Sequence, residues 1–215
     1  MLLSLLFSNP LLFAVVLLAI VVALTFHEYS HAFTAYSLGD DTAERFGRLT
    51  LNPLAHIDPV GFLMLLIAGF GYAKPVPYDP RALKHPVSDA VKIGVAGPLS
   101  NILLAVLSAL ALKMMSNLGS DNLLIQFLIF SAIININLAI FNLIPVPPLD
   151  GSNILLSLMQ GPRFANARRT LIRQGPFLLI ALILIDTFGG FGIFSRIFSF
   201  FGNMFFKLMG IDIGL

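Results

Sequence analysis

The chain has 215 residues, 57% of them hydrophobic and 11% charged, with a formal net charge of +2 and a mean hydropathy of +0.90. No water-soluble domain of this length hides so much apolar surface, so composition indicates an α-helical polytopic membrane protein. The 13 basic residues cluster on no helix face and the 20 Phe are spread through apolar runs, which excludes a nucleic-acid surface. The absence of cysteine excludes disulfides and leaves His and carboxylates for any zinc site.

In chain order, Met1 to Ile20 lacks a basic leader region and a small-x-small cleavage signal, so it is expected to be retained. A first membrane helix is predicted from Pro10 to Leu38, with Pro10 at its start and Gly39 as its stop, roughly 40 Å long. Near its second end lies Leu24-Thr25-Phe26-His27-Glu28-Tyr29-Ser30-His31. His27 and His31 stand at i and i+4 and project from one face, as two ligands of one metal must. Glu28 lies beside them, where it can take a proton from a water on that metal. Chance matches to H-E-x-x-H in a chain of this composition are expected on the order of once in a thousand. Phe13 to Leu24 is apolar throughout, so these groups lie at membrane depth, where ionisable residues are costly and functional.

Residues 39–95 are charged and rich in Pro and Gly. Stretches 45–51 and 72–78 read as short extended pieces, and Val60 to Phe70 as a re-entrant or interfacial segment too short to span. A second span is predicted from Ala96-Gly97-Pro98 to about Met115, then a polar turn over 116–122. A third starts near Leu123 and carries Ser131, Asn135 and Asn142 on one face. Pro145, Pro147 and Pro148 must break it, and Ser152 to Gln160 can complete the crossing. Gly161 to Arg173 reads as a basic loop, Phe177 to Phe188 as a fourth span, and the Phe-rich tail 191–215 as an interfacial helix or a fifth crossing. The simple organisation is one domain over 1–215, with a core at about 10–160 and C-terminal helices at 173–215. Ten of the 13 basic residues fall in 39–95 and 161–173, which puts both segments in the cytoplasm and the N-terminus outside, with the His motif nearer the cytoplasmic face.

A catalytic zinc has three protein ligands and one open position. Asp150, a carboxylate behind a proline-broken helix and ahead of Gly151, is the strongest third candidate, because a metal supplies the compensation such a charge needs at this depth. A turn or helix-cap role is its plainer reading. Asn101 can be read as a capping or packing residue, Asn142 as an interhelical hydrogen-bonding group, and His56 as a loop histidine bonded to Asp58, although His56 could also approach the metal as an accessory group.

His27-Glu28-x-x-His31, Ala96-Gly97-Pro98-x-x-Asn101 and Asn142-x-x-Pro145-x-x-x-Leu149-Asp150-Gly151 together resemble the site-2 protease family of intramembrane metalloproteases, over roughly residues 20–160. The resemblance implies one Zn2+ per chain on His27, His31 and Asp150, with Glu28 as general base. It also implies Asn142, with Asn101 as a second candidate, at the substrate, and transmembrane proteins or peptides in a lipid bilayer as substrates. The implied fold is a three-helix catalytic core with one or two C-terminal helices and short membrane-associated β-strands after the first helix. The chain departs from larger members in having only a short turn at 116–122, where some carry PDZ domains. A divalent-metal carrier is the rival reading, but such a protein has no need of Glu28 and commonly shows paired, inverted broken helices. A pseudoprotease that chaperones membrane segments is a second rival, which the intact motif does not favour.

Overall fold

The structure is a computed structural model describing residues 2–115, 119 and 121–211, so most of the polar turn at 116–122 and Asp212 to Leu215 of the tail lie outside the described residues. The elements in order are α1 (Leu2–Ser8), α2 (Pro10–Ser37), α3 (Thr42–Arg45), α4 (Pro59–Ala68), α5 (Pro86–Met114), α6 (Leu123–Asn142), α7 (Gly151–Leu158), α8 (Ala165–Gly189) and α9 (Ile193–Met209). Four described segments are long and apolar enough to cross a membrane: α2, α5, α6 and the stretch Pro162–Gly189 that contains α8.

Helix α2 begins where expected, with the Asn9 side chain accepting from the Leu12 N–H at 3.1 Å and Pro10 in the first turn. It ends at Ser37, and Gly39 takes a φ of +102°. Its inner face carries Ala19, Ala23, Ala32 and Ala35, all fully buried. These small side chains let α2 lie close against α5 and α6, the usual way helices associate where lipid removes the hydrophobic drive. Helix α6 fills its predicted range and is started by the Asn122 side chain, which accepts from the Leu124 N–H at 2.9 Å.

Two spans begin earlier than the sequence suggests. Helix α5 starts at Pro86, ten residues before Ala96, and runs through Pro98. Its first turn is organised by Asp89, which accepts from the His85 N–H at 2.9 Å and pairs with Lys92 at 2.7 Å. Pro98 removes one backbone donor, but membrane helices tolerate this where neighbours pack closely on the site of the loss. The expected basic loop 161–173 is likewise mostly helical. A single 3-10 turn, Pro162–Phe164, leads into α8, which carries Arg168, Arg169 and Arg173 and continues through Pro176.

The predicted β-strands do not form among the described residues; a single antiparallel bridge, Ile57 to Ala73, takes their place. Segment 45–51 is the end of α3 followed by a turn at Gly47. In 72–78, Pro75 and Pro77 lack the N–H a ladder needs. The carbonyls there are taken instead by a side chain: the buried Arg48 guanidinium donates to the carbonyls of Ala55, Lys74 (3.1 Å) and Pro75 (3.1 Å). Helix α4, ten residues and about 15 Å, is too short to span, as expected. It is capped by Asp58, which accepts from the N–H groups of Val60 (3.0 Å) and Gly61 (2.9 Å).

The tail forms α9, whose 17 residues reach about 26 Å, short of a hydrocarbon core of about 30 Å. Asp186 near the end of α8 accepts from the N–H groups of Ile193 (2.6 Å) and Phe194 (3.1 Å) and fixes its start. Phe206 then packs into a cluster with Leu112, Ile125, Leu128 and Ala132, anchoring α9 on α5 and α6.

Because Arg48 closes the 39–85 segment in place of a β-ladder, Arg48→Met should loosen it selectively. Amide hydrogen exchange at 50–58 and 72–78 is expected to quicken at least about tenfold, consistent with losing charge-assisted bonds, with the α2, α5 and α6 amides unchanged.

Candidate metal centre

Three side chains from two distant pieces of chain converge between α2, α5 and the α6–α7 break. His27 and His31 point from the inner face of α2, and both are buried. Asp150 stands in the turn just before Gly151, at the N-cap position of α7, but its side chain makes no capping bond. Its position is set by Gly151, whose backbone lies directly against the Leu143 carbonyl and leaves no room for a Cβ. The chain therefore reverses tightly after the prolines and carries the carboxylate back toward α2.

One ligand atom from each of His27, His31 and Asp150 lies within 4.8 Å of the others, a group that can hold a metal ion. His27 Nε2 is 3.1 Å from His31 Nε2, and Asp150 Oδ2 is 3.1 Å and 3.4 Å from these two nitrogens. The protons of both rings are placed on the far side. His27 Nδ1–H donates to Asn101 Oδ1 at 2.6 Å, and His31 Nδ1–H donates to the Ile93 carbonyl at 2.6 Å. Each neutral ring then presents a bare Nε2 to the centre.

The direction of the first of these bonds follows from backbone carbonyls, which only accept. Asn135 Nδ2 donates to the Ser131 carbonyl at 2.8 Å, so its Oδ1 is left to accept from Asn101 Nδ2 at 2.7 Å. Asn101 Nδ2 also donates to the Ala23 carbonyl at 3.2 Å. Both anchors turn Asn101 Oδ1 toward His27, which must therefore supply the proton. Ser108 extends the chain by donating to Ser131 Oγ at 2.9 Å.

Zinc fits this donor set. Two ligands at about 2.05 Å from a tetrahedral ion stand about 3.3 Å apart, close to all three spacings here. Asp150 Oδ2 is buried with no hydrogen-bond donor, and three bare acceptors facing one another repel unless a cation lies among them. Gly97 of α5 closes the centre: a Cβ there would collide with His31 Nε2 and sit 2.6–2.7 Å from Cε1 and Nε2 of His27. Glu28, one position after His27, is also buried, and its carboxylate makes no hydrogen bond or ion pair among the described residues.

The other expected residues fall in different places. Asn101 is fully buried, with both polar atoms committed to His27, Ala23 and Asn135. Asn142 is half-buried, and its amide donates to the Leu138 carbonyl of its own helix at 3.0 Å. His56 donates from Nε2 to the Thr50 carbonyl at 2.8 Å rather than pairing with Asp58. Sequence reasoning put Ser131 and Asn135 on a common face without a role, and it missed Gly97 as a wall and the Ile93 carbonyl as an orienting group.

The family model described as Peptidase family M50 matches residues 15–121 and 112–182. The chain belongs to this family, that of the site-2 proteases. It is 38% identical over 180 residues to "Putative zinc metalloprotease YwhC" of Bacillus subtilis, covering 81% of each chain. It is 30% identical over 196 residues to "Putative zinc metalloprotease Rip2" of Mycolicibacterium smegmatis, covering 88% of this chain and 73% of that one. To "Putative zinc metalloprotease MJ0611" of Methanocaldococcus jannaschii it is 32% identical over 154 residues, covering 69% of this chain and 75% of the other. No solved structure matches the chain. As a member of M50 it is a zinc metalloprotease with several membrane-crossing helices.

Gly97 gives a test of the centre that does not depend on turnover. Gly97→Ala places a methyl against both imidazoles, and the purified protein should lose at least about nine-tenths of its zinc at a concentration that saturates the wild type, measured by atomic absorption.

Proposed function

We propose that this M50 member hydrolyses peptide bonds within or beside transmembrane segments, with one zinc held by Nε2 of His27, Nε2 of His31 and Oδ2 of Asp150, and Glu28 as general base. The carrying observation is the convergence of His27 Nε2, His31 Nε2 and Asp150 Oδ2 beside the Glu28 carboxylate, with both imidazoles and Glu28 on α2, a helix long and apolar enough to cross a membrane. Held by these three residues, zinc would supply Lewis acidity for the scissile carbonyl and for water. Glu28 takes the proton of the attacking water and returns it to the departing amine nitrogen. Asn101 and the Ile93 carbonyl hold the two rings in the tautomer that leaves Nε2 free, and Asn135 holds Asn101 in the orientation this requires.

The peptide itself sets a further condition. A transmembrane helix locks its carbonyls in i to i−4 bonds, so the substrate must open locally before attack. Ten of 13 basic residues in 39–95 and 161–173 support a cytoplasmic position for those segments, an external N-terminus and a centre nearer the cytoplasmic face. Residues 1–215 work as one membrane unit in this reading, and Asn142, beside the α6 break, is a candidate for contact with the opened chain. A divalent-metal carrier is disfavoured because Glu28 has no use in it and because one broken helix, α6–α7, is present among the described residues where such carriers pair two.

Two variants separate the roles. Glu28→Gln should keep its full zinc content and lose about 10²–10⁴-fold in the cleavage rate of a single-span reporter in detergent. Asn101→Leu should weaken zinc binding about 10–100-fold in a competitive chelator titration, with Asn135→Leu affected in the same direction but less.

A further inference from the structure

A cavity of about 290 Å3 lies between α2, α4 and α6, and its relation to Glu28 follows from helix geometry. Leu24 and Thr25 line it. They precede Glu28 by four and three positions, so they share its face of α2 one turn, about 5.4 Å, away. We propose that this cavity is the subsite that receives a large apolar side chain adjoining the bond to be cut, with His56 accepting a backbone N–H of that residue. The proposal rests on the proteolytic reading above.

The walls select for such an occupant. Ile20, Phe62, Leu138 and Phe141 make them apolar. The carboxylate at the rim, Asp58, already uses Oδ1 on the first turn of α4. An acidic side chain entering would lose its hydration and face the Asp58 carboxylate, which the neutral Asn137 amide on the lining does not offset. In size the cavity sits at the small end of ligand pockets, about 300–1,000 Å3, which suits one extended residue and not an intact helix about 10–12 Å across. Its frame is preformed. The backbones of Gly61 and Gly71 lie directly against the carbonyls of Tyr72 and Gly61, and Arg48 ties the adjoining loop through the Ala55, Lys74 and Pro75 carbonyls.

His56 supplies the polar contact. It lines the cavity and is 1% exposed. Its Nε2–H donates to the Thr50 carbonyl, so in the neutral ring Nδ1 carries a lone pair, and that atom is buried without a partner. A buried acceptor left unpaired is unfavourable, and the mostly apolar walls favour a donor brought in by the occupant. An opened substrate residue brings one in its amide N–H.

The test uses the full-length, zinc-loaded protein and a set of single-span reporters differing only in the residues around the cleaved bond. At one such position Leu or Phe is expected to exceed Ala about 10–100-fold in kcat/KM, and Asp to be refused. Leu138→Trp, which narrows the cavity, should reverse the order at that position alone, so that Ala is cut at least as well as Leu. His56→Gln, which keeps a donor for Thr50 and carries its acceptor, Oε1, away from the Nδ1 position, should raise KM several-fold with kcat within twofold. Intact cleavage with no side-chain preference at any position overturns the subsite and leaves the proteolytic reading standing. A proportional loss on every reporter in Leu138→Trp also overturns it. Failure of the wild type to cut any reporter overturns the proteolytic reading and the subsite together.

Discussion

The constraint on which this molecule depends is the cost of leaving a polar atom unpaired where no water can reach it, several kcal/mol for each group in the hydrocarbon region. Around the metal centre nearly every such atom is answered from within. His31 uses a backbone carbonyl of α5, His27 uses Asn101, Asn101 uses the Ala23 carbonyl and Asn135, and Asn135 uses the Ser131 carbonyl. What stands outside this set is the inward-facing trio of His27 Nε2, His31 Nε2 and Asp150 Oδ2, the last of them buried without a donor. Pairing of this density is possible only because α2 approaches its neighbours through Ala19, Ala23 and Ala32, and because α5 presents a bare backbone at Gly97.

Much of this was legible in the sequence wherever one strong local signal dominated. The imidazole pair and its neighbouring carboxylate lie within five residues of one helix, so periodicity alone placed them. Pro10 and Gly39 bounded α2, α6 began near Leu123 as expected, and three prolines broke the chain where α6 gives way to α7. The misreadings came from rules suited to water. The second span was expected to open at Ala96-Gly97-Pro98 and the fourth only at Phe177, whereas Pro98 and Pro176 both lie inside helices, as membrane packing permits. The extended pieces in 39–95 had strand-like composition, but ladder pairing lost to Arg48, whose guanidinium offers several donors from one residue.

The role of Asn101 was not legible for a different reason. Capping, packing and hydrogen bonding across helices all use the same residue type, and which applies depends on what a helix distant in sequence brings opposite. Ser131 and Asn135 could be assigned to one face, but nothing in the chain says that this face meets Asn101. The Ile93 carbonyl is less visible still, since any residue at that position carries the same backbone group.

On the proposed assignment of His27, His31 and Asp150 to the metal, the division of that set between α2 and the residue ahead of α7 bears on how the protein is made. More than a hundred residues separate His31 from Asp150, so a ribosome delivers the imidazole pair to the membrane long before the aspartate has been translated. Throughout that interval the nascent chain lacks a three-ligand site and cannot hold the ion as the finished protein does. A three-ligand site on that assignment is complete only after the third long helix has been made and its proline-rich end has folded back, which builds a delay into the synthesis of the chain.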